Sequence, residues 1–226
     1  MIKAVIFDMD GIIIDSEPLW QEAEIAAFGR VGLQLSREMC MQTMGIRVDE
    51  VVQYWYAKKT WHGHSKETVE NDILDTLENL INIKGQAMTG VHEILTFCER
   101  KNLRVALASS SYVRLIHAVL KKLNLTDRFE VVHSGEYEVY GKPHPAIFLT
   151  TLDKLNLEHS EVFVIEDSFP GLIAAKAARL QVVCVPDKAV KNESKYDIAE
   201  IKLDTLADFR ETHFNWLNGN AYNKVL

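Results

Sequence analysis

Apolar residues fall along this chain in two rhythms. Short, mainly apolar runs stand at Ala4-Val5-Ile6-Phe7, at 103–108, at 129–132, at Val162-Phe163-Val164-Ile165, at 182–185 and at 201–203. Mainly apolar runs of this length suit strands of a parallel sheet covered on both faces. Between them lie stretches with apolar positions at helical spacing, at 112–123, at a helix ending near Leu155, and at 170–179. Strands alternating with such helices predict an α/β fold, a doubly wound parallel sheet with right-handed crossovers. One long interruption breaks the alternation. From Leu19 to about Leu80 the pattern is helical throughout, beginning with 19–29, and Ser36, Asp49 and Ser65 are plausible N-caps. The expected organisation is a core of residues 1–15 and 86–226 with a helical domain, 16–85, inserted after the first strand. Residues 213–226 read as a loosely held tail.

Composition narrows the function classes. The 226 residues are 47% hydrophobic and 25% charged, ordinary for a globular protein. A formal charge of −7 argues against a nucleic-acid binder, which would carry a basic face. Such a chain must concentrate its few cations wherever it meets an anion. Cys40, Cys98 and Cys184 are odd in number and lack C-x-x-C spacing, so reduced thiols and a cytoplasmic setting are expected. Asp8, Asp10 and Asp15 interrupt the N-terminal apolar residues, which therefore do not read as a signal peptide. No apolar run approaches the roughly 20 residues of a membrane span.

The candidate chemistry gathers at the ends of the predicted strands. Asp8 and Asp10 follow the first, Ser109 the second, and Glu166 and Asp167 the strand at 162–165, while Lys142 lies on a loop. In an open parallel sheet these ends share one edge, where ligands bind. Each residue also has a plainer role: a D-x-D-G is a common turn, Ser109 a helix N-cap, and Lys142 a solvated loop lysine beside Pro143 and Pro145. Tyr54, Trp55, Tyr56 and Trp61 suit the core of the helical domain better than a sugar pocket. His62 and His64 read as solvated loop residues rather than a metal pair.

Four motifs in order, Asp8-Met9-Asp10-Gly11, Ala108-Ser109-Ser110, Gly141-Lys142-Pro143 and Ile165-Glu166-Asp167-Ser168, make the chain resemble the haloacid dehalogenase-like (HAD) phosphohydrolases along essentially its whole length. The position of the helical insert is similar to the subfamily with a C1-type cap, which includes β-phosphoglucomutase. Phe-Asp-Met-Asp-Gly, Asp-Ser-Glu-Pro-Leu-Trp and Thr-Met-Gly-Ile-Arg most resemble its hexitol and 2-deoxyglucose-6-phosphate phosphatases. The resemblance implies Asp8 as nucleophile, Asp10 as acid/base, Ser109 and Ser110 as a phosphate cradle, and Lys142 as a fixed cation. It implies Mg²⁺ held by Asp8, the Asp10 carbonyl and Asp167, with Glu166 either a ligand or an acceptor behind one. Gly45 and Arg47 are expected over the site, and Glu17 near substrate hydroxyls. The partner expected is a small phosphorylated sugar or polyol, with no nucleic acid or membrane, and a monomer is the default.

Two departures from the family stand out. Arg179 occupies a position where members often have glycine, and Trp20 one where β-phosphoglucomutases have histidine. Loss of that histidine favours hydrolysis over transfer. The rival readings are a phosphosugar mutase with the same core residues and a non-catalytic phosphosugar-binding module. The latter predicts loss of Asp8, Asp10, Lys142 or Asp167, and all four are present.

Overall fold

The fold was read from a computed structural model, which describes residues 1–220. Strands β1 (Ala4–Phe7), β2 (Arg104–Ser109), β3 (Val131–Ser134), β4 (Val162–Glu166), β5 (Gln181–Cys184) and β6 (Ile201–Lys202) form one sheet in the order β3-β2-β1-β4-β5-β6. Every neighbouring pair is parallel. Phe7 lies opposite Leu107 on one side and Ile165 on the other. The chain builds outward from β1 through β2 and β3, then restarts beside β1 with β4. That reversal creates the crevice in which open α/β sheets hold ligands.

Side chains alternate across the sheet as the period of two requires. Val5, Phe7, Leu107, Phe163 and Ile165 enter one core cluster; Ala4, Ile6, Ala106, Val162 and Val164 enter the other. The first face is covered by α5 (Val91–Arg100), α6 (Val113–Lys122) and α9 (Glu211–Asn220), the second by α7 (Ala146–Leu155) and α8 (Phe169–Ala177). Burial on both faces explains why the strands lack polar alternation.

Four helices separate β1 from β2 before α5 begins: α1 (Glu17–Arg30), α2 (Arg37–Cys40), α3 (Val48–Lys58) and α4 (Lys66–Lys84). The chain leaves and returns side by side, with Asp15 N–H donating to the Gln86 carbonyl at 2.9 Å and Ile14 bridging Ala87. Ser36 and Ser65 accept from Met39 and Thr68 backbone N–H groups, as N-caps do. Trp55 and Trp61 are buried, and Trp61 packs edge-on against Phe28 and Tyr56, which makes the aromatic cluster core. His62 and His64 are exposed.

Three expectations need correction. The N-cap of α3 is Arg47, not Asp49; Asp49 sits in the first turn, where a carboxylate suits the helix dipole. The strand expected at 129–132 runs from Val131 to Ser134, because Phe129 turns inward against Phe7 and the polar His133 and Ser134 find buried partners. Within the predicted tail, residues 213–220 belong to α9, which buries Phe214 and Leu217; residues 221–226 lie outside the described residues. Arg179 does take the left-handed conformation, at φ 62°. No helix among the described residues is long and apolar enough to cross a membrane.

Candidate active site

The site begins where β1 stops. Asp8 N–H still donates to the Ile165 carbonyl at 2.9 Å, which anchors the first carboxylate at the sheet edge. Gly11 then turns the chain at φ +73°. A Cβ on Gly11 would lie 2.2 Å from Asp167 Oδ2, so glycine is needed both for the turn and for the approach of that carboxylate. Asp167 follows β4 directly, and Lys142 arrives from the loop before α7.

Asp8, Glu166 and Lys142 are all buried. Lys142 Nζ donates to Asp8 Oδ1 at 2.7 Å and also to Glu166 Oε1. Burial alone would push the ammonium down, but the Asp8 and Glu166 carboxylates outweigh it and hold Lys142 above the ordinary lysine range. Burial pushes Asp8 up to about 7; Lys142 opposes this, while Glu166 and Asp10 add to it. Burial, then Glu166 and Asp8, push Asp167 well above the carboxylate range. One lysine does not balance the carboxylates around it. Asp8, Glu166 and Asp167 each present an oxygen within 4.8 Å of the others, an oxygen-rich set fit for a hard divalent cation.

Glu166 is fixed from behind. Its Oε2 accepts from the Ser168 N–H at 2.9 Å and the Ser168 hydroxyl at 3.0 Å, and a Cβ on Gly171 would sit 1.7 Å from Oε1. Ser168 also caps α8 by accepting from Gly171 N–H, so the same serine starts the helix and orients the glutamate.

Asp10 is held differently. Its Oδ1 accepts from the Ser16 hydroxyl and, at 2.9 Å, from the Trp20 indole N–H. Its Oδ2 accepts from the Ser111 hydroxyl at 2.6 Å. Ser16 and Trp20 come from the start of the helical insert and Ser111 from the loop after β2. The second aspartate therefore sits on the junction between the two.

Asp8, Asp10, Lys142, Asp167, Ser110, Gly45 and Glu17 all border one cavity beneath α1 and the α2–α3 connection. It is narrow, with about 50 Å³ open to water-sized molecules. Ser109 is fully buried and does not border the cavity; its hydroxyl accepts from Ser111 N–H at 3.1 Å and donates to Asp10 Oδ2 at 3.5 Å. Gly45 has φ +82°, and a Cβ there would lie 2.7 Å from Ser168; its carbonyl accepts from the Ser110 hydroxyl at 3.3 Å. Glu17 accepts from Gln21 at 3.0 Å, and burial raises its carboxyl.

Arg47 does not border the cavity. It forms a bidentate pair with Asp49, at 2.6 and 2.9 Å, and donates to the Gly135 and Glu138 carbonyls of the loop after β3. Sequence reasoning assigned no role to Ser16, which lies within the Asp-Ser-Glu-Pro-Leu-Trp stretch, or to Ser111, which follows Ser110. It also missed Gln21 and Glu24, whose signal was a polar side chain on the buried stripe of an otherwise apolar-faced helix.

A parallel sheet with a helical insert after its first strand and acidic motifs at β1 and β4 defines a class, and the sequence comparisons agree with it. The chain belongs to the haloacid dehalogenase-like hydrolases, whose family model matches residues 5–185. It is 36% identical over 208 residues to hexitol phosphatase B of Escherichia coli K12, covering 92% of this chain and 94% of that one. It is 32% identical over 183 residues to a phosphorylated carbohydrates phosphatase of Thermotoga maritima, covering 80% and 83%. The crystal structure of β-phosphoglucomutase from Clostridium difficile shares the fold, with a TM-score of 0.85 at 23% identity over 99% of this chain and all of that one.

Proposed function

We propose that this chain is a Mg²⁺-dependent phosphatase of small sugar or polyol phosphates, working through an aspartyl-phosphate on Asp8, with residues 16–85 as a cap over the core. The observation that carries this reading is the placement of Asp8, paired with Lys142, and Asp10, held by neutral donors, on one cavity. Two adjacent carboxylates with such different partners suit two different proton tasks.

In the first half-reaction an Asp8 carboxylate oxygen attacks phosphorus and the ester P–O bond breaks. Asp10 gives its proton to the departing alkoxide oxygen. In the second, Asp10 takes a proton from water as that water attacks the aspartyl-phosphate, and inorganic phosphate leaves. Lys142 holds positive charge against the phosphoryl oxygens, where a preorganised cation stabilises developing charge. Ser110 and the backbone at the β2–α6 junction offer donors for the same oxygens. Asp8 and Asp167 would hold Mg²⁺ with the Asp10 carbonyl, and Glu166, both of whose oxygens are already engaged, would orient a ligand from behind. When bound, the ion would offset the repulsion between Asp8 and the phosphate.

The names of the E. coli and T. maritima relatives support phosphorylated polyols and sugars as the substrate class. Three buried thiols without a disulfide support a reducing, cytoplasmic setting, and the chain is proposed to act as a monomer. The test is phosphate release from a panel of sugar and polyol phosphates, with and without Mg²⁺, and with Asp8→Asn as control. Mg²⁺-dependent release that falls at least 10³-fold in the variant is expected. Conversion of β-glucose 1-phosphate to glucose 6-phosphate in the presence of glucose 1,6-bisphosphate, with little free phosphate, would identify a mutase instead.

A further inference from the structure

Helix α1 is unusual for a helix that closes a cavity, because its inner stripe is polar. Glu17, Trp20, Gln21 and Glu24 are related by spacings of three and four, so they share one face of the helix, and all border the cavity. Glu17 and Gln21 bond each other, and Trp20 bonds Asp10. Glu24 lies four residues beyond Trp20, about 6 Å further along the axis. It is only 6% exposed, and its Oε2 is a buried oxygen with no hydrogen-bond partner.

An unpartnered buried carboxyl oxygen is costly and rare in folded proteins. Nothing in the fold requires it: Ala23, Ala27 and Phe28 already pack α1 into the core. The surroundings do not neutralise it either. Among the described residues, the side-chain bond it receives is from the Cys40 thiol, a weak donor, and burial pushes the Glu24 carboxyl up to about 8. Near neutral pH the group is therefore largely the neutral acid, with one O–H to give and a carbonyl to accept. An alcohol hydroxyl offers the same pair in reverse. The deeper wall, with Thr43, Ile46, Val48 and Val51, has no lysine or arginine, so it does not suit a second phosphate.

We infer that Glu24 is a specificity-determining residue that hydrogen-bonds a hydroxyl on the carbon chain of the substrate, at the end remote from the phosphate. The inference rests on the phosphatase reading above and extends it: the favoured substrates are polyhydroxylated chains long enough to pass Trp20 and reach the next turn of α1. Short phosphate esters, and long ones without distal hydroxyls, leave the carboxyl unpaired. A site built to bond a hydroxyl discriminates strongly against an analogue that lacks it.

The experiment compares kcat/KM for the best sugar or polyol phosphate of the panel with that for hexyl phosphate, of similar length and without hydroxyls. Wild-type protein is expected to favour the hydroxylated ester at least 100-fold. Glu24→Leu is expected to cut that ratio at least 10-fold by lowering kcat/KM for the hydroxylated ester, with hexyl phosphate unchanged or improved. Glu24→Gln, which keeps a donor and an acceptor, is expected to retain most of the ratio. If Glu24→Leu does not fold, Glu24→Met takes its place in the comparison. Equal losses on both esters, or an unmoved ratio, overturn the role of Glu24 while leaving the phosphatase reading intact. Wild-type silence on every ester overturns both.

Discussion

Replacing Lys142 by methionine leaves Asp8 and Glu166 facing each other in a buried pocket without the cation between them. Removing one partner of a buried ion pair costs roughly 3–5 kcal/mol, since the remaining charge is uncompensated. The loss should depend on pH. Burial raises folded Asp8 from 3.8 to about 7, so its contribution to stability is full below pH 4 and is lost as pH rises through 7. Without Lys142 the folded carboxyl rises further and the loss continues above pH 7. Urea unfolding in the absence of divalent cations should therefore show a wider gap between wild type and Lys142→Met at pH 8 than at pH 5. Equal gaps would mean that the lysine does not govern Asp8. Activity in the variant is expected to drop at least 10²-fold.

At the scale of elements, α8 shows how one short helix is tied to chemistry at one end and strain at the other. Its N-terminus is capped by Ser168, which also bonds Glu166. Its C-terminus passes through Arg179 at φ 62°, where a side chain is disfavoured by about 1 kcal/mol relative to glycine. Leu180 N–H still bonds the Ala175 carbonyl at 3.0 Å, so the helix closes with its usual geometry in spite of that residue. Arg179→Gly is expected to raise the melting temperature by about 2–4 °C, as about 1 kcal/mol does in a chain of this size. Phosphatase activity should be unchanged, because the strain is at the far end of the helix from Glu166. A lower melting temperature would show that contacts of the arginine outweigh its backbone cost. Arg179 could be anticipated from sequence, since it stands where a helix stop needs left-handed geometry. The Phe129 turn could not, because its cause is a ring on another strand.

At the scale of the whole molecule, the proposed cap is fastened to the core beside the site. Arg47 bonds the Gly135 and Glu138 carbonyls, Glu50 accepts from Gly141 N–H at 3.3 Å, and Ser110 bonds Gly45. The cavity is narrow, with about 50 Å³ open to water-sized molecules, so a sugar phosphate needs this fastening to open. Arg47→Ala is expected to raise KM for the best substrate about 10-fold and to speed amide exchange in residues 135–141. A raised KM with unchanged exchange would instead make Arg47 a substrate ligand, as the family resemblance implied.

The alternation of apolar runs and helical stretches determined the sheet, and the helical run after the first strand determined the insert, because burial on two faces leaves a local imprint on sequence. The acidic motifs were legible for a related reason: in a parallel sheet every strand end meets the same edge, so order along the chain predicts convergence. Only the tertiary structure decided what each polar group touches. Ser109 bonds both Ser111 and Asp10, Arg47 grips a loop rather than facing the cavity, Asp10 is held by Ser16, Trp20, Ser111 and Ser109, and Glu24 is left with an unpaired oxygen. These outcomes depend on contacts between residues far apart in sequence, whose distances no local pattern records.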